Sequence, residues 1–315
     1  MAQITAEMVR DLREKTGAGM MDCKKALTEY ADIDAAIKYL REKGLASAAK
    51  KAGRIASEGL VAIFTKDNAA GIVEVNCETD FVARNPEFQK LASDLAQQVV
   101  VAGKSTLKAG EITLGEVLLK QPFFNDSSKT VEALINEKVA TIDEKIVVRR
   151  LMLLLGGNVY GSYLHSGGSI GAAVELTVDN AQKAESDTLK TLAKDLAMHV
   201  AAAAPLAMSR ADVDAQTIAA EREILLKQVL EQKKPEAILN RIVDGRIEKY
   251  FSEVCLLEQK FVKDPDTTIA QLIEKASKEA GAAITLNQFI RFKVGEGIEK
   301  KADDFVQEVA KIASC

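Results

Sequence analysis

Adding 101 to each residue number carries Val73-Glu74-Val75 onto Val174-Glu175-Leu176, and Leu91-Ala92-Ser93-Asp94-Leu95-Ala96 onto Leu192-Ala193-Lys194-Asp195-Leu196-Ala197, with Val99 on Val200. Two matched segments at one offset, with no gap between them, mark a duplicated supersecondary unit. The centre of the chain is therefore expected to be two copies of a strand, a loop and a helix.

Gly59-Leu60-Val61-Ala62-Ile63-Phe64 and Gly71-Ile72-Val73-Glu74-Val75 are short β-branched runs around the polar cluster Lys66-Asp67-Asn68, the pattern of a hairpin. Asn85-Pro86-Glu87 then predicts a helix start, because Asn caps an orphan N–H and Pro suits the first helical position. Phe88, Leu91, Leu95 and Val99 follow at helical spacing. In the second copy Ser186 keeps a capping side chain, whereas Thr79, Asp80, Phe81 and Arg84 become Asn180, Ala181, Gln182 and Glu185. The fold thus does not require Phe81. Two readings of it stay open: a local core residue, or an exposed aromatic anchor on a loop, where functional groups concentrate.

The formal net charge of −4 among 315 residues argues against a general binder of phosphate backbones. No run of 18 apolar residues spans a membrane, and the start has neither a basic nor an apolar signal region, so a cytosolic chain is expected. Cys23, Cys77, Cys255 and Cys315 stand far apart without the spacing of a zinc site or disulfide framework; Cys77 reads as core packing. No cofactor or metal is expected. Of the two histidines, His199 sits on the second copy's helix between Leu196 and Val200 and reads as structural. Ala102-Gly103-Lys104-Ser105 fails as a phosphate loop because it follows a helix, and Gly295-Glu296-Gly297 is a weak dinucleotide signal.

Three further regions flank the core. Thr5, Asp22 and Asp34 are expected to open three short helices in residues 1 to about 46, joined at a corner by Thr16-Gly17-Ala18-Gly19-Met20-Met21. Two consecutive methionines there suit either packing or an adaptable partner surface. Ser47 to Ser57 reads as a linker or frayed helix end. Residues 211–254 read as two antiparallel helices broken at Gln232-Lys233-Lys234-Pro235, whose apolar stripe either packs inward or pairs with another protein, a homodimer included. Phe289-Ile290-Arg291-Phe292-Lys293-Val294 alternates as a strand and should complete or cap the second copy's sheet.

The segment from Thr16 to Leu27, the segment Thr79-Asp80-Phe81-Val82-Ala83-Arg84-Asn85, Gly161-Ser162-Tyr163 with His165, and Phe289 to Gly297 together resemble the bacterial translation elongation factor Ts family, in order and spacing along nearly the whole chain. The resemblance implies an α+β fold: an N-terminal three-helix module like a ubiquitin-associated domain, a duplicated hairpin-plus-helix core with antiparallel sheets, and a helical hairpin insertion. The expected division is 1–54 for the module and linker, 55–145 for the first core subdomain, 146–210 with 255–300 for the second, 211–254 for the hairpin and 301–315 for a C-terminal helical module. It implies a guanine-nucleotide exchange factor, and not an enzyme, that binds elongation factor Tu in its GDP and nucleotide-free forms. Thr79, Asp80, Phe81 and Val82 would dislodge the partner's Mg²⁺, and Met20, Met21, Lys24 and His165 would dock. Direct nucleic-acid binding is not implied. A ribosome- or RNA-associated scaffold using Lys50, Lys51 and Arg54, and a hydrolase acting through His165, are the alternatives.

Overall fold

The computed structural model describes residues 4–30, 32–230 and 235–299. An N-terminal module of α1 (Ala6–Thr16), α2 (Met20–Glu29) and α3 (Ile33–Lys51) leads to the hairpin β1 (Glu58–Lys66) and β2 (Ala69–Cys77), then α4 (Asp80–Ala83) and α5 (Pro86–Gly103). Short β3 (Thr113–Leu114), α6 (Glu116–Leu119), β4 (Pro122–Phe123) and β5 (Asp126–Thr130) precede α7 (Val131–Ile142) and β6 (Val147–Leu155). The second copy runs through β7 (Val159–His165), β8 (Ile170–Val178) and α8 (Asp187–Ala203). It is interrupted by α9 (Ala215–Leu230) and α10 (Glu236–Val254), and resumes with β9 (Lys260–Phe261), β10 (Asp264–Thr268), α11 (Ile269–Ala280) and β11 (Ile284–Lys293). The proposed C-terminal module at 301–315 and the break residues Gln232, Lys233 and Lys234 lie outside the described residues.

Two antiparallel sheets, ordered β1-β2-β6-β3 and β11-β8-β7, carry the α+β core. They face each other through Val61, Ala70, Ile72, Met152, Leu154, Ala173, Ile290 and Phe292. On the outer faces α5 packs through Phe88, Leu91 and Leu95, and α8 through Leu189, Leu192 and Leu196. The result is helix, sheet, sheet, helix. Strand β2 is covered on both faces, which is why all nine of its residues are buried and why it reads as an almost continuous apolar run. Asp67 and Asn68 take φ of 48° and 54°, the left-handed pair of a tight hairpin turn.

The duplication extends beyond the segments that align at 101. From β4 onward the offset becomes 138: Pro122 to Lys260, Asp126 to Asp264 and Val131 to Ile269. The difference, 138 − 101 = 37, is the net extra length of the second copy, which carries the inserted α9 and α10. This moves a boundary, because β6 pairs with β2 and closes the first sheet. Residues 147–155 therefore belong to the first subdomain, not the second. Strand β11 pairs along β8 and completes the second sheet.

The N-terminal module differs from its sequence reading in three places. Thr5 does cap α1, accepting from Met8 N–H, but Asp32 rather than Asp34 caps α3. Met20 and Met21 form the first turn of α2 instead of the preceding corner, so Asp22 lies inside the helix. Finally, of the linker or frayed helix end expected from Ser47 to Ser57, residues 47–51 form the last turn of α3, whose Gly44 lies against Asn136 and Ala140 of α7. The hairpin stripe is used internally, with Leu225 and Val229 of α9 against Leu239, Val243 and Ile247 of α10.

His199 is buried and structural. Its Nδ1 accepts from the Val262 N–H at 3.3 Å, so Nε2 carries the proton and donates to Gln259 Oε1 at 2.9 Å. In the first copy Gln98 does the same work, its amide bonding Gln121 at 3.1 Å and its oxygen accepting from Phe124 N–H at 2.8 Å. Desolvation holds the imidazole pKa below its ordinary 6.5, partly opposed by the Gln259 hydrogen bond. Because the folded state favours the neutral ring, this stability is present above the unfolded pKa near 6.5 and falls as pH drops below it, by at most about 1.4 kcal/mol per pH unit. His199→Gln, importing the first copy's residue, should remove that component. Urea midpoints at pH 7.5 and 5.5 check it: an acid-induced loss as large in the variant as in the parent would assign the effect to other groups.

Candidate functional site

The segment from Glu78 to Asn85 joins β2 to α5, and nearly every group in it has a partner. Thr79 caps α4, its Oγ1 accepting from Val82 N–H at 3.3 Å. The Cys77 thiol donates to the Thr79 carbonyl at 3.2 Å, and burial pushes that thiol up to about 12, which leaves it a packing group and not a nucleophile. Asp80 pairs with Arg84 at 3.0 Å across one turn, and Asn85 caps α5 by accepting from Glu87 N–H at 2.8 Å. Val82 and Ala83 pack against the first core. Phe81 is the large apolar side chain of the segment that points away, 81% exposed, while the exposed Arg84 is tied to Asp80. The core-residue reading of Phe81 is therefore wrong, and the turn that carries it is held by the capping and pairing of its neighbours.

The carboxylates beneath this turn come from far along the chain. Glu144, between α7 and β6, accepts the N–H groups of Glu78 and Thr79 at 3.0 Å each and the Thr79 hydroxyl at 2.6 Å. Glu78 in turn accepts from Lys145 N–H at 2.7 Å and from Arg54 at 3.2 Å. The sequence reading missed Glu144, Lys145 and Arg54 as parts of this site. The second offset exposes a signal for Glu144 and Lys145, which fall on Ala282 and Ala283, and none for Arg54.

In the second copy the same stretch is a 3₁₀ turn, Ala181–Lys183, capped by Asn180. Asp179 accepts Ala283 N–H at 3.0 Å as Glu78 accepts Lys145 N–H, so this link belongs to the shared fold. Lys183, in place of Val82, bonds the carbonyls of Ala280 and Gly281, and no aromatic side chain is presented.

The remaining residues singled out in the sequence stand on separate elements. Met20 and Met21 are 60% and 75% exposed at the start of α2, with Lys24 exposed one turn on. His165 ends β7, exposed, its ring stacked 6.3 Å from Tyr163. Gly161, in the same motif, is structural: a Cβ there would stand 2.0 Å from the Ala193 carbonyl oxygen of α8. Lys51 is buried against Asp143 at 2.8 Å and Arg54 is paired with Glu78, so two of the three cations of a proposed RNA surface are engaged internally. Gly295-Glu296-Gly297 is no nucleotide loop; Gly295 N–H donates to the buried Glu74 and Glu296 binds Arg150. Among the described residues no group of three His, Cys, Asp or Glu could hold a metal, and no helix is long and apolar enough to cross a membrane.

The profile of the family described as Elongation factor TS matches residues 78–296. The elongation factor Ts of Trichlorobacter lovleyi is 45% identical over 314 residues, covering 98% of each chain. That of Clostridium kluyveri is 48% identical over 312 residues, again 98% of each, and that of Clostridium perfringens 48% over 313, covering 98% of this chain and 99% of its own. A relationship of this extent takes in the N-terminal module, both sheets, the inserted hairpin and the Phe81 turn together: the chain belongs to the elongation factor Ts family of translation elongation factors.

Proposed function

We propose that this chain is a guanine-nucleotide exchange factor that binds elongation factor Tu in its GDP form, opens the nucleotide site, displaces the partner's Mg²⁺ and lets GDP leave so that GTP can bind. The observation that carries this reading is Phe81, exposed on a turn whose other residues are capped, paired or packed. GDP and Mg²⁺ in such a GTPase are held by backbone amides and loop oxygens, so a wedge that shifts the metal-side loop loosens the nucleotide without touching guanine. Asp80 is held by Arg84, which favours an orienting role over direct attraction of metal. Met20, Met21 and Lys24 would dock the N-terminal module and His165 would contact a second partner domain. The chain performs no bond chemistry in this scheme, uses no cofactor of its own and works in the cytoplasm. Self-association through α9 and α10 would have to use exposed groups such as Ile224 and Ile238, since the stripe between the helices is already buried.

Exchange requires the factor and the nucleotide to be reciprocal ligands, each weakening the other by the same factor. Immobilised chain should retain elongation factor Tu when GDP is scarce and release it when GDP is in excess. Retention indifferent to GDP would refute exchange and leave simple scaffolding.

A further inference from the structure

Asp143-Glu144-Lys145 and its counterpart Gly281-Ala282-Ala283, 138 residues on, are the same backbone turn with different side chains. Asp143 and Gly281 both adopt the left-handed conformation, with φ of 67° and 58°. The turn survives in the second copy without any of the three polar side chains, so the architecture does not need them. Yet each is engaged in the first. Asp143 accepts from Lys51 Nζ at 2.8 Å at the end of α3, and Lys145 Nζ donates to the carbonyls of Ala52 at 2.6 Å and Arg54 at 2.8 Å. Glu144 bonds both backbone N–H groups that lead into α4 and the hydroxyl that caps it.

We propose that Glu144 is a positioning residue for nucleotide exchange, holding Thr79 as the cap of α4 and thereby Phe81 in its outward pose. This inference rests on the exchange function proposed above. Three hydrogen bonds to one carboxylate fix where the chain leaves β2, and the α4 cap fixes the rotation of the turn about that point. Asp143 and Lys145 grip the exit of the N-terminal module from the same turn, so the aromatic keeps a set relation to the exposed methionines of α2. Thr79 is itself exposed, so water can replace Glu144 at its N–H when the carboxylate is removed. The cost then falls on orientation more than on folding, which separates this role from a structural one.

Release of a fluorescent GDP analogue from elongation factor Tu, followed over a range of concentrations of the full chain, tests the proposal. Glu144→Ala should lower the maximal stimulated rate about tenfold, the scale of a lost charged hydrogen bond, and leave the half-saturating concentration nearly unchanged. Glu144→Gln, which keeps an oxygen for the two N–H groups, should recover most of the rate. Adding Thr79→Val to Glu144→Ala should cost little more, because both act through one contact. An unchanged maximal rate in Glu144→Ala, or a loss seen only in half-saturation and equal in Ala and Gln, overturns the proposal. If Glu144→Ala does not fold, Thr79→Val decides: it must lower the maximal rate. Phe81→Ala in the same series separates the two levels. If Phe81→Ala is impaired and Glu144→Ala is not, positioning alone is wrong; if neither is impaired, the exchange mechanism through this turn is wrong.

Discussion

Phe81→Ala should fold as the parent does and stimulate GDP release from elongation factor Tu far less. The folding half follows from exposure: at 81% exposed, the ring contributes little buried area, and Gln182 occupies its place in the second copy. The functional half follows from hot-spot energetics, in which a central aromatic anchor is worth about 2–4 kcal/mol, or roughly 30- to 1,000-fold in rate if it acts in the opening step. Leu95→Ala is the matched opposite. Leu95 is wholly buried between α5 and the first sheet, so truncation should cost about 2–5 kcal/mol of stability. Stimulated release and urea midpoints measured on both variants give a crossed pattern. Full exchange by Phe81→Ala, with its midpoint unchanged, would remove the ring from the mechanism.

That single contact cannot be the whole device. Weakening a nucleotide about ten-thousandfold requires roughly 5.5 kcal/mol of differential interaction, more than one hot spot supplies. The balance has to come from docking surfaces placed at a fixed distance from Phe81. The structure offers them on the first turn of α2 and at the end of β7, while α3 is fastened to α7 and to the turn at Asp143. A rigid spacing of this kind lets binding at one surface be used to force the other.

What the sequence discloses and what it hides divide along chain distance. The β1–β2 turn, the caps at Thr5, Asn85 and Ser186, and the outer stripes of α5 and α8 were legible because each is settled by residues within about two turns of one another. Phe81 stood out because an internal copy did without it. Glu144 was invisible, since its partners lie 65 and 66 residues away and the offset linking it to Ala282 is masked by the inserted hairpin. The assignment of β6 failed for a related reason. Its pairing with β2 is a long-range choice that alternation along Val147–Leu155 does not encode. Asp34 and Asp22 misled as caps because a competing acceptor, Asp32, or a glycine stood closer to the true first turn.

Glu74→Gln should destabilise the protein by about 1.5–3 kcal/mol, the scale of a charged hydrogen bond lost from a part-buried network. Glu74 is fully buried on the face of β2 that looks toward the second sheet, and it accepts from Arg149 at 2.9 Å, Arg150 at 2.6 Å and Gly295 N–H at 2.9 Å. Adjacent strand residues ordinarily point to opposite faces, and a bulge lets both arginines reach one carboxylate: Glu74 pairs with Arg150, Val75 with Val148, and Arg149 is the extra residue. The second copy repeats the device with milder chemistry. Glu175 faces Gln288, Asn287 is the extra residue, and Asn287 Nδ2 donates to Glu175 at 3.2 Å. In the first copy the cations continue outward, Arg150 to Glu296 at 3.2 Å and over the Phe292 ring at 4.5 Å, so the node ties the end of β11 to the first sheet. Among the described residues, removing only the carboxylate therefore leaves Arg149 without a carboxylate partner and Arg150 with Glu296 alone. Glu74→Gln combined with Arg149→Asn and Arg150→Gln, which imports the second copy's amides, should be less destabilised than the single variant. Urea midpoints at constant m-value measure both. A single variant within about 1 kcal/mol of the parent, or a triple variant whose loss equals the sum of its parts, would mean that the charges act independently and that the packing of the two sheets, not this node, holds β11 in place.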